Sequence, residues 1–140
     1  MSDIVQEKKK VVIICADDEA IILLGFLKSL KDIITPEIEI RTASNGRDAL
    51  NMIRDIHNFD NKIVAALFSD WNMPGMKGDE LFQIVHKEYP HIILIMISAY
   101  SKGIAEHDLP KNIPHMYMTK PIDMSELKRI CENLAFCNEF

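Results

Sequence analysis

The sequence Ile-Val-Ala-Ala-Leu-Phe at residues 63–68 is a short apolar run that Ser69 and Asp70 follow directly. Continuous runs of aliphatic and β-branched residues are typical of strands that are buried on both faces of a parallel sheet. Four further strands are predicted at residues 11–16, 37–42, 92–97 and 115–118. The second and the last of these alternate more between apolar and polar residues, so we expect them nearer the sheet edges.

Helical patterns lie between the predicted strands. Apolar residues recur at intervals of three and four in residues 45–56, 78–89 and 123–134, which predicts amphipathic helices. The last of these segments begins with Asp123 and Glu126 at the spacing of a capping box. The strict alternation of strands and helices predicts an α/β fold, in which helices cover both faces of an open parallel sheet.

The composition is that of one globular domain, with 48% apolar and 26% charged residues in a chain of 140. No linker or repeat divides residues 1–140, so a single domain is predicted. The formal net charge of −5 argues against direct binding of nucleic acid. No apolar stretch approaches the ~18–20 residues that cross a bilayer, and no export signal precedes the first strand. The three cysteines lack paired spacing, which favours a reducing cytoplasm.

Acidic residues follow two of the predicted buried strands. Asp17, Asp18 and Glu19 come after the first strand, and Asp70 comes after the third. Open α/β sheets bind ligands at the carboxyl ends of their strands, where these side chains would meet. Two carboxylates ~4 Å apart repel by roughly 4 kcal/mol at an effective dielectric of ~20, which favours a divalent cation between them. Sparse oxygen ligands suit Mg²⁺ better than Ca²⁺.

Two more strand ends carry groups that phosphoryl chemistry requires. Ser98 follows the fourth strand with a hydroxyl, and Lys120 follows the fifth with an ammonium. An aspartate can act as a covalent nucleophile and form an aspartyl-phosphate, whose charge a metal ion and a lysine would neutralise. Each residue also has a structural alternative: Asp17 and Asp18 could cap the first helix, and Ser98 could satisfy a local hydrogen bond.

Taken in order, the motifs resemble those of response-regulator receiver domains of two-component and phosphorelay signalling. They are Asp17-Asp18-Glu19, Asp70-Trp71-Asn72-Met73-Pro74-Gly75, Ser98-Ala99 and Thr119-Lys120-Pro121. The resemblance covers about residues 9–137 and implies a flavodoxin-like, doubly wound five-stranded parallel sheet of order 2-1-3-4-5 with five helices.

The resemblance also implies a role for each acidic residue. Asp70 would be the phosphoacceptor. Asp18 would bind Mg²⁺ directly, together with Asp70 and the backbone carbonyl of Asn72, and Asp17 would bind it through water. We therefore expect Mg²⁺ as the cofactor of a phosphoprotein.

Further residues would respond to the phosphoryl group. The resemblance implies that Lys120 pairs with it, that Ser98 is the switch hydroxyl and that Tyr117 is the switch aromatic. The side chains of Asn72 and Tyr100 stand where the family tunes dephosphorylation. For Tyr117, plain packing is the alternative. Residues 101–114 should form helix 4, but two prolines and a glycine interrupt them, so this helix is expected to be short.

The implied partners are proteins. A histidine kinase or a histidine phosphotransfer protein would supply the phosphoryl group. Residues 21–24 of the first helix are apolar on every side and could belong to the core, but part of this turn would dock the donor. A downstream protein would bind the face of helix 4, strand 5 and helix 5. Only 20 residues follow Lys120, too few for an output domain.

The predicted activity is a switch rather than an enzyme. Two alternatives remain open, a phosphorylation-independent pseudo-receiver that only binds partners and a Mg²⁺-dependent phosphohydrolase. The second is disfavoured because Asn72 stands where such enzymes usually place a second acid.

Overall fold

Five strands and four helices make up the part of the chain that the computed structural model describes, residues 10–99 and 113–136. The strands are β1 (Lys10–Ala16), β2 (Ile38–Ala43), β3 (Lys62–Asp70), β4 (Ile93–Ser98) and β5 (Met116–Thr119). The helices are α1 (Ala20–Ser29), α2 (Gly46–Phe59), α3 (Gly78–Glu88) and α4 (Met124–Phe136), with a short 3₁₀ turn at Lys31–Ile33. Among these described helices, none combines the length and the apolar character needed to span a membrane.

The sheet is parallel throughout, with the strand order β2-β1-β3-β4-β5. The predicted doubly wound, flavodoxin-like α/β fold is therefore confirmed. Helix α4 is the fifth helix of that prediction. Most of the predicted helix 4, residues 101–114, lies outside the described residues, as do Tyr100 and Cys137.

Both faces of the sheet are covered by helices, because its central strands are apolar on both sides. On one face, Leu50 and Ile53 of α2 and Phe82 of α3 are fully buried against the sheet. On the other face, Phe26 of α1 meets Phe68 edge-on, with 5.1 Å between ring centroids. This double burial explains why β1, β3 and β4 read as unbroken apolar runs.

The register of the strands brings their carboxyl ends to one edge. Ala16 of β1 pairs with both Ala43 of β2 and Ser69 of β3, and Asp70 pairs with Ile97 of β4. A register shift in the β1–β3 ladder leaves one extra residue of β3 between Val64 and Ala66. The residues that follow each strand therefore meet above the same edge of the sheet.

Polar side chains fix the starts of two helices. The side chain of Asn45 accepts a hydrogen bond of 2.7 Å from the backbone N–H of Asp48 at the start of α2. The side chain of Asp123 accepts hydrogen bonds from the backbone N–H groups of Ser125 and Glu126, which confirms the predicted helix start there.

Candidate functional site

Three carboxylates meet above the carboxyl ends of β1 and β3. Asp17 and Asp18 follow β1 directly, and Asp70 is the last residue of β3. One oxygen from each lies within 4.8 Å of the others. Asp17 is fully buried and Asp70 is 7% exposed, whereas Asp18 faces solvent. The structure thus brings together the acidic residues that the sequence places at two separate strand ends.

Lys120 approaches this cluster from the end of β5. Its Nζ lies 3.1 Å from Oδ2 of Asp17 and 3.4 Å from Oδ2 of Asp70. The backbone N–H of Lys120 donates a 2.8 Å hydrogen bond to the carbonyl of Ser98, which continues the pairing of β4 with β5. The ammonium is therefore shared between two buried carboxylates.

The backbone orients the carboxylate of Asp17. Its Oδ1 accepts a 2.8 Å hydrogen bond from the backbone N–H of Glu19, and its own N–H donates to the carbonyl of Ala43. The N-cap of α1 is Glu19, which makes no side-chain cap hydrogen bond. Asp17 is therefore not the N-cap residue itself, although it accepts from the N–H of that residue, and its Oδ2 lies 3.1 Å from Nζ of Lys120.

Burial and neighbouring charges shift the pKa of two of these groups. Burial raises the pKa of the Asp70 carboxyl above its ordinary value, Lys120 opposes this effect and the charge of Asp17 adds to it. Burial alone would lower the pKa of Lys120, but its close contact with Asp17 and the charge of Asp70 outweigh this effect and raise that pKa. One ammonium therefore incompletely offsets the three carboxylates.

This donor set fits a hard divalent cation. It offers only oxygen atoms, it is close to solvent on the side of Asp18, and it carries more negative than positive charge. Magnesium is commonly held by one or two carboxylates with water completing its shell. Asp17, Asp18 and Asp70 could thus hold such an ion.

The β3–α3 loop, residues 71–77, adds backbone groups to the site. The backbone N–H of Asn72 lies 3.4 Å from Oδ1 of Asp70, and the N–H of Trp71 donates to the carbonyl of Ile97. The hydroxyl of Ser69, fully buried, donates a 3.0 Å hydrogen bond to the carbonyl of Asp70. Ser69 was not predicted as a site residue, although a hydroxyl within an apolar strand was a visible signal.

The remaining candidates lie at different distances from this centre. Ser98 is 2% exposed at the end of β4, next to Ile97, which pairs with Asp70. Tyr117 is half-buried on β5 and packs against the core on the α2–α3 face. Tyr100 lies outside the described residues.

Comparison with known families gives one match over most of the chain. The sequence pattern of the family described as Response regulator receiver domain matches residues 13–132. A crystal structure of a two component transcriptional regulator AraC from Clostridium phytofermentans superposes with a TM-score of 0.71 at 26% identity. That match covers 94% of this chain and 100% of the other.

Two curated proteins match this chain over different shares of their own length. The chain is 31% identical over 94 residues to the chemotaxis protein CheY of Pseudomonas aeruginosa, covering 66% of this chain and 71% of CheY. It is 24% identical over 111 residues to the sensor kinase CckA of Brucella abortus, covering 79% of this chain. The chain spans only 11% of the length of that kinase.

Proposed function

The chain belongs to the response-regulator receiver-domain family, and on that basis we propose that it is a phosphorylatable switch of a two-component system or phosphorelay. Asp70 accepts the phosphoryl group, with Mg²⁺ as cofactor, and the modified domain changes its affinity for a partner protein. The observation that carries this proposal is the shared Lys120, whose ammonium lies within 3.4 Å of two buried carboxylates beside an open edge of the site.

The proposed metal ligands are Asp18, Asp70 and the backbone carbonyl of Asn72, with Asp17 acting through water. Their oxygen chemistry and the incompletely offset charge of the acidic cluster support this choice. When bound, Mg²⁺ supplies positive charge that stabilises the transferring phosphoryl group.

The phosphoryl transfer is a displacement at phosphorus. A carboxylate oxygen of Asp70 forms the new bond, while the phosphorus–nitrogen bond of a phosphohistidine breaks and its electron pair returns to the imidazole. Lys120, already 3.4 Å from Asp70, pairs with the negative charge that the phosphoryl group brings.

The proposed switch lies at the ends of β4 and β5. The buried hydroxyl of Ser98 turns toward the phosphoryl oxygen, and Tyr117 then occupies the space it leaves. Tyr117 is half-buried, so a change in its environment alters the surface that a downstream protein contacts. The expected contact face includes β5 and α4. Asn72, which is exposed beside the site, and Tyr100 would adjust the lifetime of the aspartyl-phosphate.

The phosphodonor is a histidine kinase or a histidine phosphotransfer protein in the cytoplasm. Helix α1 starts directly after the acidic cluster and leaves Ile21 75% exposed and Leu24 59% exposed. Phe26 of the same helix is fully buried, so the two faces of α1 differ sharply. We propose that the exposed apolar face packs against a helix of the donor, which brings its phosphohistidine to Asp70.

The proposal is tested by incubating the protein with Mg²⁺ and acetyl phosphate and measuring its intact mass. The wild type should gain one phosphoryl group, and Asp70→Asn should gain none. Asp55→Asn, an equivalent change on an exposed part of α2, is the matched control and should behave as the wild type. No mass gain in the wild type would reject the proposal and favour a phosphorylation-independent binding module. Equal gain in Asp70→Asn would show that Asp70 is not the phosphoacceptor.

A further inference from the structure

Two helices begin with a glycine at the point where each meets the β3–α3 loop. Gly46 is the first residue of α2, and Gly78 is the first residue of α3. A Cβ atom added at Gly78 would lie 2.5 Å from the carbonyl oxygen of Asp70 and 2.9 Å from Cα of Trp71. A Cβ atom added at Gly46 would lie 2.9 Å from the carbonyl oxygen of Met76. Only glycine allows these approaches without movement.

The contacts at Gly78 are with backbone atoms, so no side-chain rotation can relieve them. Helix α3 cannot easily retreat either, because Leu81 and Phe82 in its first turns are fully buried. An added methyl group would therefore displace the loop.

The loop itself has little freedom to absorb such a displacement. The N–H of Gly78 donates a 3.0 Å hydrogen bond to the carbonyl of Trp71, and the N–H of Trp71 donates to Ile97. Met73 and Met76 anchor the loop in the core, with 3% and 9% of their surfaces exposed. A displacement at Gly78 therefore falls directly on the backbone of Asp70 and Trp71, which is tied to β4.

The backbone that would move carries the proposed metal ligands. Asp70 provides the contacting carbonyl and also one carboxylate of the cluster, and Asn72 lies two residues further along. Mg²⁺ requires oxygen ligands at about 2.0–2.1 Å in near-ideal octahedral geometry, whereas Ca²⁺ accepts about 2.3–2.6 Å in flexible arrangements. A shift of a few tenths of an ångström should therefore affect Mg²⁺ more than Ca²⁺.

We propose that Gly78, assisted by Gly46, is a positioning residue that holds the β3–α3 loop at the spacing Mg²⁺ requires and so favours this ion over Ca²⁺. The proposal rests on the function proposed above, because it assumes that the acidic cluster binds Mg²⁺. Neither glycine touches the metal; both act through the backbone of residues 70–76.

The test titrates the full chain separately with Mg²⁺ and with Ca²⁺ and follows the fluorescence of Trp71, the single tryptophan, next to Asp70. Gly78→Ala should weaken Mg²⁺ binding about tenfold and Ca²⁺ binding by less than about threefold. Gly46→Ala should change the ratio of the two affinities in the same direction by a smaller factor. A merely structural role would lower the melting temperature and leave this ratio unchanged.

Gly25→Ala on α1 is the matched control. A Cβ atom there would lie 3.6 Å from Cε of Met124, an ordinary contact, so both affinities should stay at the wild-type values. If Gly78→Ala does not fold, the ratio of the Mg²⁺ and Ca²⁺ affinities of Gly46→Ala tests the proposal instead. Equal weakening of both ions, or an unchanged ratio in a folded variant, would overturn the positioning role alone. A wild type that binds no Mg²⁺ would reject the metal site and the positioning role together.

Discussion

Charged side chains are buried to different degrees at the two ends of the sheet. At the carboxyl end, Asp17 and Asp70 are buried and share the ammonium of Lys120. At the amino end, Glu39 lies 3.2 Å from Lys62 in an ion pair that remains partly exposed. Charge is thus concentrated and buried at the candidate site but matched and near solvent at the other end.

Further contacts at the amino end join neighbouring elements of the fold. His57 stacks on Tyr89 with 4.4 Å between ring centroids, and His91 meets His57 edge-on at 5.1 Å. Arg54 of α2 makes two hydrogen bonds to the carboxylate of Glu88 at the end of α3. At the amino end, these contacts connect α2 with α3. At the carboxyl end, the carboxylates of Asp17 and Asp70 lie close to each other. Such a site persists because the surrounding fold constrains it.

Removal of the shared cation should have the largest effect on stability. Lys120→Ala leaves two buried carboxylates without their ammonium, which should lower the free energy of unfolding by about 3 kcal/mol in EDTA at neutral pH. Added Mg²⁺ should restore part of this loss. Chemical denaturation with and without Mg²⁺ measures both effects.

Lys62→Ala is the control at the opposite end, where the ion pair with Glu39 is partly exposed. Loss of this ion pair should lower the free energy of unfolding by no more than about 1 kcal/mol, and added Mg²⁺ should not change this difference. Equal losses of unfolding free energy in Lys120→Ala and Lys62→Ala would show that the two ion pairs contribute equally to stability despite their different burial.

Loss of the exposed carboxylate should weaken metal binding without weakening the fold. Asp18→Asn removes one proposed ligand from the solvent side of the cluster, so Mg²⁺ affinity should fall about tenfold, or about 1.4 kcal/mol. Isothermal titration calorimetry measures this change. Asp60→Asn, at the amino end, should leave the affinity unaltered, and a similar fall there would argue against a local site.

Neutralising the buried carboxylate of Asp70 should stabilise the metal-free protein. Because the pKa of Asp70 is raised, its ionised form is disfavoured in the folded state, and stability is lost as pH rises through that pKa. Asp70→Asn should therefore increase stability in EDTA by roughly 1 kcal/mol at pH 7.5, and by less near pH 4. A lower stability than wild type at pH 7.5 would contradict this expectation.

At the amino end of the sheet, stability should fall as the pH falls, which is the opposite of the expectation for Asp70. This effect should be the smallest. His91 is exposed overall, but partial burial of its ring lowers its pKa below the ordinary 6.5, against a backbone hydrogen bond with Val64. A histidine held neutral contributes stability above pH 6.5 that is lost as pH falls through its lowered pKa. His91→Gln should flatten the loss of melting temperature between pH 7 and pH 5. Parallel curves for variant and wild type would exclude this role.

Much of the fold followed from local patterns. Each predicted strand lies within two residues of its observed position, because apolar runs bounded by polar residues mark buried strands clearly. The meeting of Asp17 and Asp70 also followed, since parallel strands end at a common edge. The shift in register after Val12 carried no sequence signal, because it depends on how two strands settle against each other.

The finer arrangement of the site depended on the spacing between segments that lie far apart in the sequence. The sequence placed Lys120 near the cluster, but only the packed sheet shows that its Nζ reaches both Asp17 and Asp70. The close approaches at Gly46 and Gly78 were likewise hidden, since a glycine at a helix start has many possible reasons. The stack of His57 on Tyr89 joins the ends of two helices and has no local pattern.

The sequence by itself determined the order of strands and helices, the apolar layers and the chemical groups at each strand end. These depend on side-chain type and on periodicities of two and 3.6 residues, which are local properties. The tertiary structure decided how deeply Asp17 and Asp70 are buried, which cation they share and how closely α3 approaches the loop after Asp70. Burial and sub-ångström spacing arise only when all elements pack together, because each depends on atoms from several segments.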